Sequence, residues 1–361
     1  MLSVTINDGV KMRSDIEGKD NSSEDKSNYK IVRAGDMVYN SMRMWQGANG
    51  ISPWDGIVSP AYTVLKSRIP ISHGFFAALF KTHRIINEFR KNSQGMTSDT
   101  WNLKYPQIET IKICIPSLCE QERIAEFLTA LDQRIEKQRT LVENLKKYKR
   151  GVIEAVFNRK IRFASEDGTN SWKEYRLSDF ACRITRKNGQ STDIPLTISA
   201  QYGLIDQREF FSKTVASTDM SGYYLLNNGE FAYNRSTSSE YPYGSIKRLE
   251  KYSVGAVSTL YLCFGIRDEI MESDMIKWYF ESSLWHNGIR EICAEGARNH
   301  GLLNIPTDGF FNTIHYLPSN RSEQETIAKF LTAIEERYMK ALSELDALHK
   351  MKKFLYHQLF I

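Results

Sequence analysis

The sequence predicts an α+β fold built from two similar halves, each a small mixed domain followed by a long helix. Three observations predict it: one stretch of sequence occurs twice, short strand-like runs precede each copy, and each copy ends in coiled-coil spacing. A chain of 361 residues is also long enough to bury two cores of ordinary size.

The duplication is visible without gaps. Residues 120–135 (EQERIAEFLTALDQRI) align with residues 323–338 (EQETIAKFLTAIEERY), and ten of the sixteen positions are identical. GDMVYN at 35–40 likewise matches GEFAYN at 229–234. A period this long indicates a duplicated domain and excludes a solenoid.

A globular segment precedes each repeated stretch, at 1–114 and at 161–316. β-branched and aromatic runs broken by Gly, Asn, Ser and Pro predict short strands in both segments. Apolar residues at helical spacing predict helices within 74–90 and 274–293. Each segment is therefore predicted to be a mixed α/β domain. The clearest strand-like runs are Ile31–Val32, Met37–Tyr39, Thr110–Ile115 and Gly255–Phe264.

The segments 115–160 and 317–361 carry apolar residues at alternating steps of three and four, which is typical of a coiled-coil seam. Each helix should run for about 38 residues, or roughly 57 Å. We expect the two helices to pair antiparallel and to separate the two domains in a pseudo-twofold arrangement. A capping box at Ser322-x-x-Glu325 predicts the start of the second helix. The seams are Leu128, Leu131, Ile135, Gln138, Val142, Leu145, Lys149, Val152 and Val156, and Leu331, Ile334, Tyr338, Ala341, Leu345, Leu348, Lys352, Leu355 and Leu359.

Composition and motifs exclude several classes of protein. The 48 Lys+Arg against 43 Asp+Glu give a net charge of +5, too small for a highly basic packaging protein. No leader pattern and no apolar run near the roughly 20 residues of a membrane span is found, so we expect a cytoplasmic protein with no membrane partner. Five cysteines without metal-ligand spacing predict free thiols.

The sequence also lacks the motifs of a phosphate-binding loop, a dinucleotide fold, a metalloprotease or a nucleophile elbow. The seven histidines are scattered one at a time. We therefore predict no catalytic residue, no metal site and no cofactor in this chain.

Loops rich in side chains that read base edges follow the matched Tyr-Asn pairs, at 41–46 and from 235 onward. Arg pairs with guanine, Gln and Asn pair with adenine, and nearby basic residues can position phosphates. Different contents on the same frame are what two different half-sites require, although such side chains can also simply complete their own turns. The candidate DNA-binding residues are Arg43, Trp45, Gln46, Lys91, Gln94, Arg183, Arg186, Lys187, Arg235, Ser236, Thr237, Tyr241, Arg298 and Asn299.

The duplicated pattern IPS followed by EQ-x-x-IA-x-FL at 115–128, with LPS and the same motif at 317–331, resembles the DNA specificity subunit of Type I restriction-modification systems. GDMVYN at 35–40 and GIVSPAY at 56–62 support the resemblance, which covers nearly the whole chain. It implies that each globular half is a target recognition domain and that the subunit itself is not catalytic.

The resemblance also implies partners. Each target recognition domain would read one part of a split site in double-stranded DNA, and the long helices would act as spacer and as docking surface. The implied partner proteins are two methyltransferase subunits and motor-nuclease restriction subunits, which would carry S-adenosylmethionine, ATP and Mg. The candidate docking residues are Gln121, Ile124, Phe127, Gln324, Ile327 and Phe330.

The first half departs from the second at its start. LSVT at 2–5 aligns with LTIS at 196–199, so about two dozen residues equivalent to 172–195 have no counterpart before Met1. We expect this to expose an edge or part of a core in the first domain. A start codon placed too late, a fragment from gene rearrangement and a natural short form all fit the sequence.

Two other classes of function compete with DNA recognition. A coiled-coil structural or regulatory adaptor that does not read DNA would need no Arg, Asn, Ser and Gln loops at matched positions. A cryptic nuclease would need a cluster of acidic residues, which the sequence does not offer.

Overall fold

A computed structural model describes residues 1–6, 9–16, 22–97, 100–163, 172–199, 202–210, 219–293 and 301–360. The chain divides into two compact units: unit 1 comprises Met1–Leu141 with Leu342–Ile361, and unit 2 comprises Val142–Ala341. Among the described residues, no helix has the length and apolar character needed to cross a membrane.

The described residues of unit 1 form seven short strands and three short helices, together with parts of both long helices. The strands are β1 (Leu2–Thr5), β2 (Gly9–Met12), β3 (Lys30–Val32), β4 (Met37–Asn40), β5 (Asn49–Ile51), β6 (Gly56–Val58) and β7 (Tyr62–Leu65). The helices are α1 (His73–Leu79), α2 (His83–Asn92), α3 (Tyr105–Ile108) and the long α4 (Leu118–Phe157). All pairings are antiparallel: β1 with β2, β3 with β6, and β5-β4-β7 in one sheet.

In the part of unit 2 that the structure describes, ten strands form four antiparallel sheets, β10-β11, β12-β15, β14-β13-β16-β9 and β17-β8. The strands are β8 (Trp172–Arg176), β9 (Ala181–Ile184), β10 (Leu196–Ser199), β11 (Gly203–Asp206), β12 (Tyr224–Asn227), β13 (Phe231–Asn234), β14 (Ser245–Arg248), β15 (Val254–Val257), β16 (Leu262–Ile266) and β17 (Ile314–Pro318). The helices are α5 (Leu177–Phe180), α6 (Gln207–Phe210), α7 (Ser273–Tyr279), α8 (His286–Ile292), α9 (Thr307–Phe311) and the long α10 (Arg321–Leu359).

The predicted α+β class and the two long helices are confirmed, with local corrections. Each predicted apolar segment forms two short helices, α1 and α2 in unit 1 and α7 and α8 in unit 2. In unit 1, Thr82 caps α2 by accepting from the Ile85 amide and so starts a new helix. The predicted run Gly255–Phe264 contains parts of two strands, β15 and β16, and the run predicted at Thr110–Ile115 forms no strand. The predicted capping box is wrong, since the Oδ1 atom of Asn320 accepts from the amide of Ser322 at the start of α10.

The coiled-coil seam is confirmed inside each unit. All eighteen predicted seam residues are buried or half-buried. In unit 2, Lys149 lies 2.7 Å from Glu335, with its Nζ 5.0 Å from the centroid of the Tyr338 ring. In unit 1, Lys352 lies 2.5 Å from Asp132. The two interrupting lysines are therefore neutralised by acids of the partner helix, at equivalent positions of the repeat.

Candidate nucleic-acid interface

The loop after β4 in unit 1 is held by its backbone. The Oδ1 atom of Asn40 accepts from the Met42 amide at 3.1 Å, which forms a tight turn directly after the strand. The Ser41 carbonyl accepts from the Leu103 amide at 2.8 Å, and Leu103 is fully buried. The loop is therefore fastened at its start to the core of unit 1.

The loop after β13 in unit 2 is held in the same way. The Oδ1 atom of Asn234 accepts from the Ser236 amide at 3.0 Å. The Arg235 carbonyl accepts from the amide of buried Leu303 at 3.0 Å. The matched Asn residues and the two Leu amides thus build one frame twice, and the frame leaves the loop side chains free to differ.

In unit 1 the loop presents Arg43, Trp45 and Gln46. Arg43 is exposed, and no bond to its guanidinium is seen among the described residues. Trp45 and Gln46 are half-buried, and the Trp45 ring packs edge-on against Trp101 at 5.1 Å. Arg90 lies 5.4 Å from the centroid of the Trp101 ring. The pair of tryptophan rings therefore lies in the same loop region as Arg43 and Gln46, whose side chains carry hydrogen-bond donors.

Trp101 and Arg90 were missed by the sequence reasoning. They join the loop through contacts between residues that are distant in the chain, and no local pattern marks them. Of the other candidates here, Lys91 pairs with Glu88 at 2.7 Å on an exposed helix face. Gln94 is exposed, and its backbone pairs with Asn102.

Of the three candidates in or near β9 of unit 2, one side chain has no described partner and two form contacts within the unit. Arg183 is exposed, and its guanidinium has no described partner. Arg186 pairs with Glu230 at 2.7 Å. Lys187 donates to the Gly222 carbonyl at 2.9 Å and lies 4.5 Å from the Tyr224 ring centroid. The geometry gives Arg186 and Lys187 structural contacts within unit 2, and their role toward DNA stays a prediction.

Two side chains of the loop after β13 also form hydrogen bonds within unit 2. Arg235 donates to the Leu260 carbonyl at 2.9 Å, and the Thr237 hydroxyl donates to the Gly301 carbonyl at 3.2 Å. Ser236 is exposed, and Tyr241 is half-buried, which raises the pKa of its phenol above its usual value. The remaining two candidates, Arg298 and Asn299, lie outside the described residues.

The two glutamines predicted to dock partners are buried and form equivalent clamps. Gln121 donates to the Pro116 carbonyl at 2.9 Å and accepts from the Ser72 amide at 3.1 Å. Gln324 donates to the Pro318 carbonyl at 2.9 Å and accepts from the Glu272 amide at 2.8 Å. Each side-chain amide fastens the start of a long helix to its own domain.

The four apolar docking candidates differ in exposure. Ile327 is fully buried in the core of unit 2, and Ile124 is half-buried against the core of unit 1. Phe330 packs on Phe163 at 5.3 Å between ring centroids, whereas Phe127 is 49% exposed. Docking stays a prediction for all six residues, of which Gln121, Gln324 and Ile327 are buried.

One titratable side chain in the core of unit 2, His315, is enclosed by hydroxyl groups. His315 is buried between the Tyr279 and Thr313 hydroxyls, and its burial lowers its pKa to about 4. Within the described part of the chain, no cluster of three or more His, Cys, Asp or Glu residues could hold a metal ion.

One segment of the chain matches a known family model. Residues 19–146, which include the loop of unit 1 and the first EQ motif, match the model of the Type I restriction modification DNA specificity domain. This segment is a Type I DNA specificity domain. The family resemblance predicted from the sequence is therefore confirmed for this segment, and the family is described by its DNA specificity.

Solved structures share the fold of this chain. The crystal structure of an HsdS subunit from Thermoanaerobacter tengcongensis matches with 16% identity and a TM-score of 0.52, over 93% of this chain and 83% of that chain. A Type-I restriction-modification system S subunit from M. genitalium matches with 12% identity and a TM-score of 0.54, over 92% of this chain and 84% of that one. A structure from a study of complex assembly and conformational transition of the type I R-M system matches with 17% identity and a TM-score of 0.54, over 93% of this chain and 84% of that chain.

Proposed function

We propose that this chain is the specificity subunit of a Type I restriction-modification complex and that it reads a bipartite DNA site. The observation that carries the proposal is the specificity-domain match at 19–146 in a chain whose second half repeats the first. Two copies of one frame with different loop contents favour recognition of two different half-sites.

In unit 1 we assign base reading to Arg43 and Gln46, with Trp45 as their support. An Arg guanidinium pairs bidentately with guanine and a Gln amide with adenine, and each such pair is worth about 1–3 kcal/mol of discrimination. In unit 2 we assign base reading to Ser236, which is exposed in the loop after β13, and to Arg183, which is exposed on β9 and has no described partner. Residues that pair within the unit, such as Arg186 with Glu230, then stabilise the loop conformations.

The chain is proposed to act with partners and without chemistry of its own. We propose that it docks two methyltransferase subunits and motor-nuclease restriction subunits in the cytoplasm. S-adenosylmethionine, ATP and Mg would be held by these partners, in keeping with the absence of catalytic motifs from the sequence. Phe127 is the docking candidate of choice because its ring is half exposed on α4.

Co-expression with the methyltransferase subunit of the same host tests the proposal. We expect adenine methylation of one split DNA motif only when both proteins are present. Arg43→Ala should reduce methylation, and Arg33→Ala is the matched control, since Arg33 is exposed but pairs with Asp55 on another strand connection. If the two proteins form a complex but the methyltransferase subunit alone methylates the same motif, the adaptor alternative would be favoured.

A further inference from the structure

The part of α4 that belongs to unit 2 carries a group of basic side chains. Four of the five residues at 146–150 are cations: Lys146, Lys147, Lys149 and Arg150. Lys149 lies in the seam and pairs with Glu335 at 2.7 Å. The other three are exposed, and no acidic partner of theirs is seen among the described residues. Like charges three or four residues apart on a helix repel each other, so a bound anion would relieve an unfavourable interaction.

Glu154 joins this side of α4 to the globular part of unit 2. Its Oε1 atom accepts from the Ser283 amide at 2.6 Å, in the connection between α7 and α8. Residues four apart lie on the same face of a helix, so Lys146, Arg150 and Glu154 form one row. The two cations therefore continue, along α4, the face that meets the domain at Glu154.

The loop after β13 lies beside the same row. The Tyr243 ring in this loop is 5.1 Å from the His286 ring at the start of α8, between ring centroids. Burial raises the pKa of the Tyr241 phenol, and the positive charge of Arg150 opposes that shift. Arg150 is therefore near the loop in which Ser236 is exposed.

Unit 1 carries a cation at the equivalent position of the repeat. The alignment of the two seams sets Lys353 level with Arg150, and Phe360 level with Phe157. Phe157 packs on the last residue of α7, and Phe360 packs on α1, each at 5.3 Å between ring centroids. Lys353 is exposed, and the described residues offer it no acidic partner. Each long helix thus presents a cation two turns before the ring that packs on its own domain.

We propose that Arg150, with Lys146 one turn before it, binds a backbone phosphate of the DNA whose bases the loop after β13 reads, and that Lys353 binds a phosphate beside unit 1. The inference rests on the proposed function and adds to it a contact that is independent of sequence. Phosphate contacts fix the register of a protein on a duplex and carry no base information. The long helices would then hold the DNA as well as space the two domains.

The charges and spacing of these residues favour a duplex over an acidic protein surface. A loop that reads bases also brings the phosphates of the same nucleotides to basic side chains beside it. Lys146 and Arg150 are separated by about 6 Å along the helix axis, and each strand of B-DNA carries one charge per about 3.4 Å. Both cations can therefore lie close to phosphates of one strand. Binding to an acidic surface of a partner protein is the alternative that the experiment has to exclude.

Salt titration of DNA binding tests the proposal on the complex of this chain with the methyltransferase subunit of the same host. The probes are a duplex that carries the motif methylated in the host and a scrambled duplex of the same length. Arg150→Gln should weaken binding to both duplexes by the same factor, roughly threefold to tenfold at physiological salt. It should also reduce the slope of log K against log salt concentration by about 0.9. Lys353→Gln should have the same effect, and Arg150→Lys should retain the slope.

Lys340→Gln is the matched control within unit 2. Lys340 is exposed on α10, two residues after the seam residue Tyr338 and so about 200° further around the helix axis. The substitution removes one positive charge from the side of α10 that faces away from its seam, and the slope should change by less than about 0.3. Ser236→Ala should show the opposite behaviour, with weaker binding to the motif duplex alone and an unchanged slope.

Three results with Arg150→Gln would overturn the proposal: an unchanged slope, a decrease that Lys340→Gln reproduces, or a loss confined to the motif duplex. Failure of the variant to co-purify with the methyltransferase subunit would also overturn it, and would assign the cation to an acidic surface of that subunit. The proposed function fails separately, if the unsubstituted complex binds both duplexes equally. The change in slope then still decides whether Arg150 contacts phosphate.

Discussion

The pair formed by Lys149 and Glu335 gives the sharpest test of the helix packing in unit 2. Their side chains are 21% and 26% exposed, and their charged atoms lie 2.7 Å apart. Lys149→Glu would place two carboxylates at this contact and remove the cation from the face of the Tyr338 ring. We expect the variant to open this part of the seam more readily.

The magnitude follows from the partial burial of the pair. Two unit charges 4 Å apart interact by about 4 kcal/mol at an effective dielectric constant of 20, and exposed pairs contribute about 0–1 kcal/mol. The half-buried pair lies between these limits, so Lys149→Glu should lower the local opening free energy by about 2–3 kcal/mol. Adding Glu335→Lys should recover most of the loss.

Hydrogen exchange of the α10 amides around Ile334 and Tyr338 measures this opening directly, residue by residue. The exposed pair of Lys350 and Asp346 on the same helix is the control, and Lys350→Glu should leave exchange unchanged. A coupling energy below about 0.3 kcal/mol between the two substitutions at the seam would refute the reasoning.

Three further predictions follow from the same structure. Phe330→Ala, which removes packing on Phe163, should destabilise unit 2 by about 2–4 kcal/mol, whereas Phe127→Ala should leave stability nearly unchanged and weaken co-purification with the methyltransferase subunit. Calorimetry and pull-down check the two effects, and loss of stability in both variants would contradict them. His315 has its pKa lowered to about 4, so below its ordinary value of 6.5 the unfolded state takes up a proton that the folded state does not, and stability falls as pH falls. Between pH 7 and pH 5 unit 2 should lose about 2 kcal/mol, a loss that His315→Asn should abolish in urea titrations at the two pH values. The isolated chain should bind DNA only at micromolar or weaker affinity at physiological salt, because its net charge is small, and nanomolar sequence-specific binding in a gel-shift assay would count against this.

The seam was predictable because helical periodicity is a local property of sequence. Both lysines that interrupt it could be located at equivalent places, and both are half-buried. Their acidic partners could not be identified, since Glu335 and Asp132 meet them only once the register of two distant helices is fixed. The cap at Asn320 was missed: it lies two residues before the predicted capping residue, and its Oδ1 atom accepts from the Ser322 amide.

The candidate interface was predictable only as a pair of loops. The matched Tyr-Asn pairs placed both loops after a buried strand, and the structure gives both the same turn. Which basic side chains remain free depends on neighbours far along the chain: Arg186 is engaged by Glu230, whereas Arg183 is exposed. No local pattern distinguishes these two arginines.

Methylome sequencing of strains that carry loop variants tests the central claim most directly. One strain would express the chain with Arg43→Ala and Gln46→Ala, and another with Arg183→Ala and Ser236→Ala, each with the same methyltransferase subunit. If the two units read separate half-sites, the first strain should show a methylated motif changed in one half only, and the second strain a motif changed in the other half only. An unchanged motif in both strains, or changes in both halves from either variant, would contradict the account.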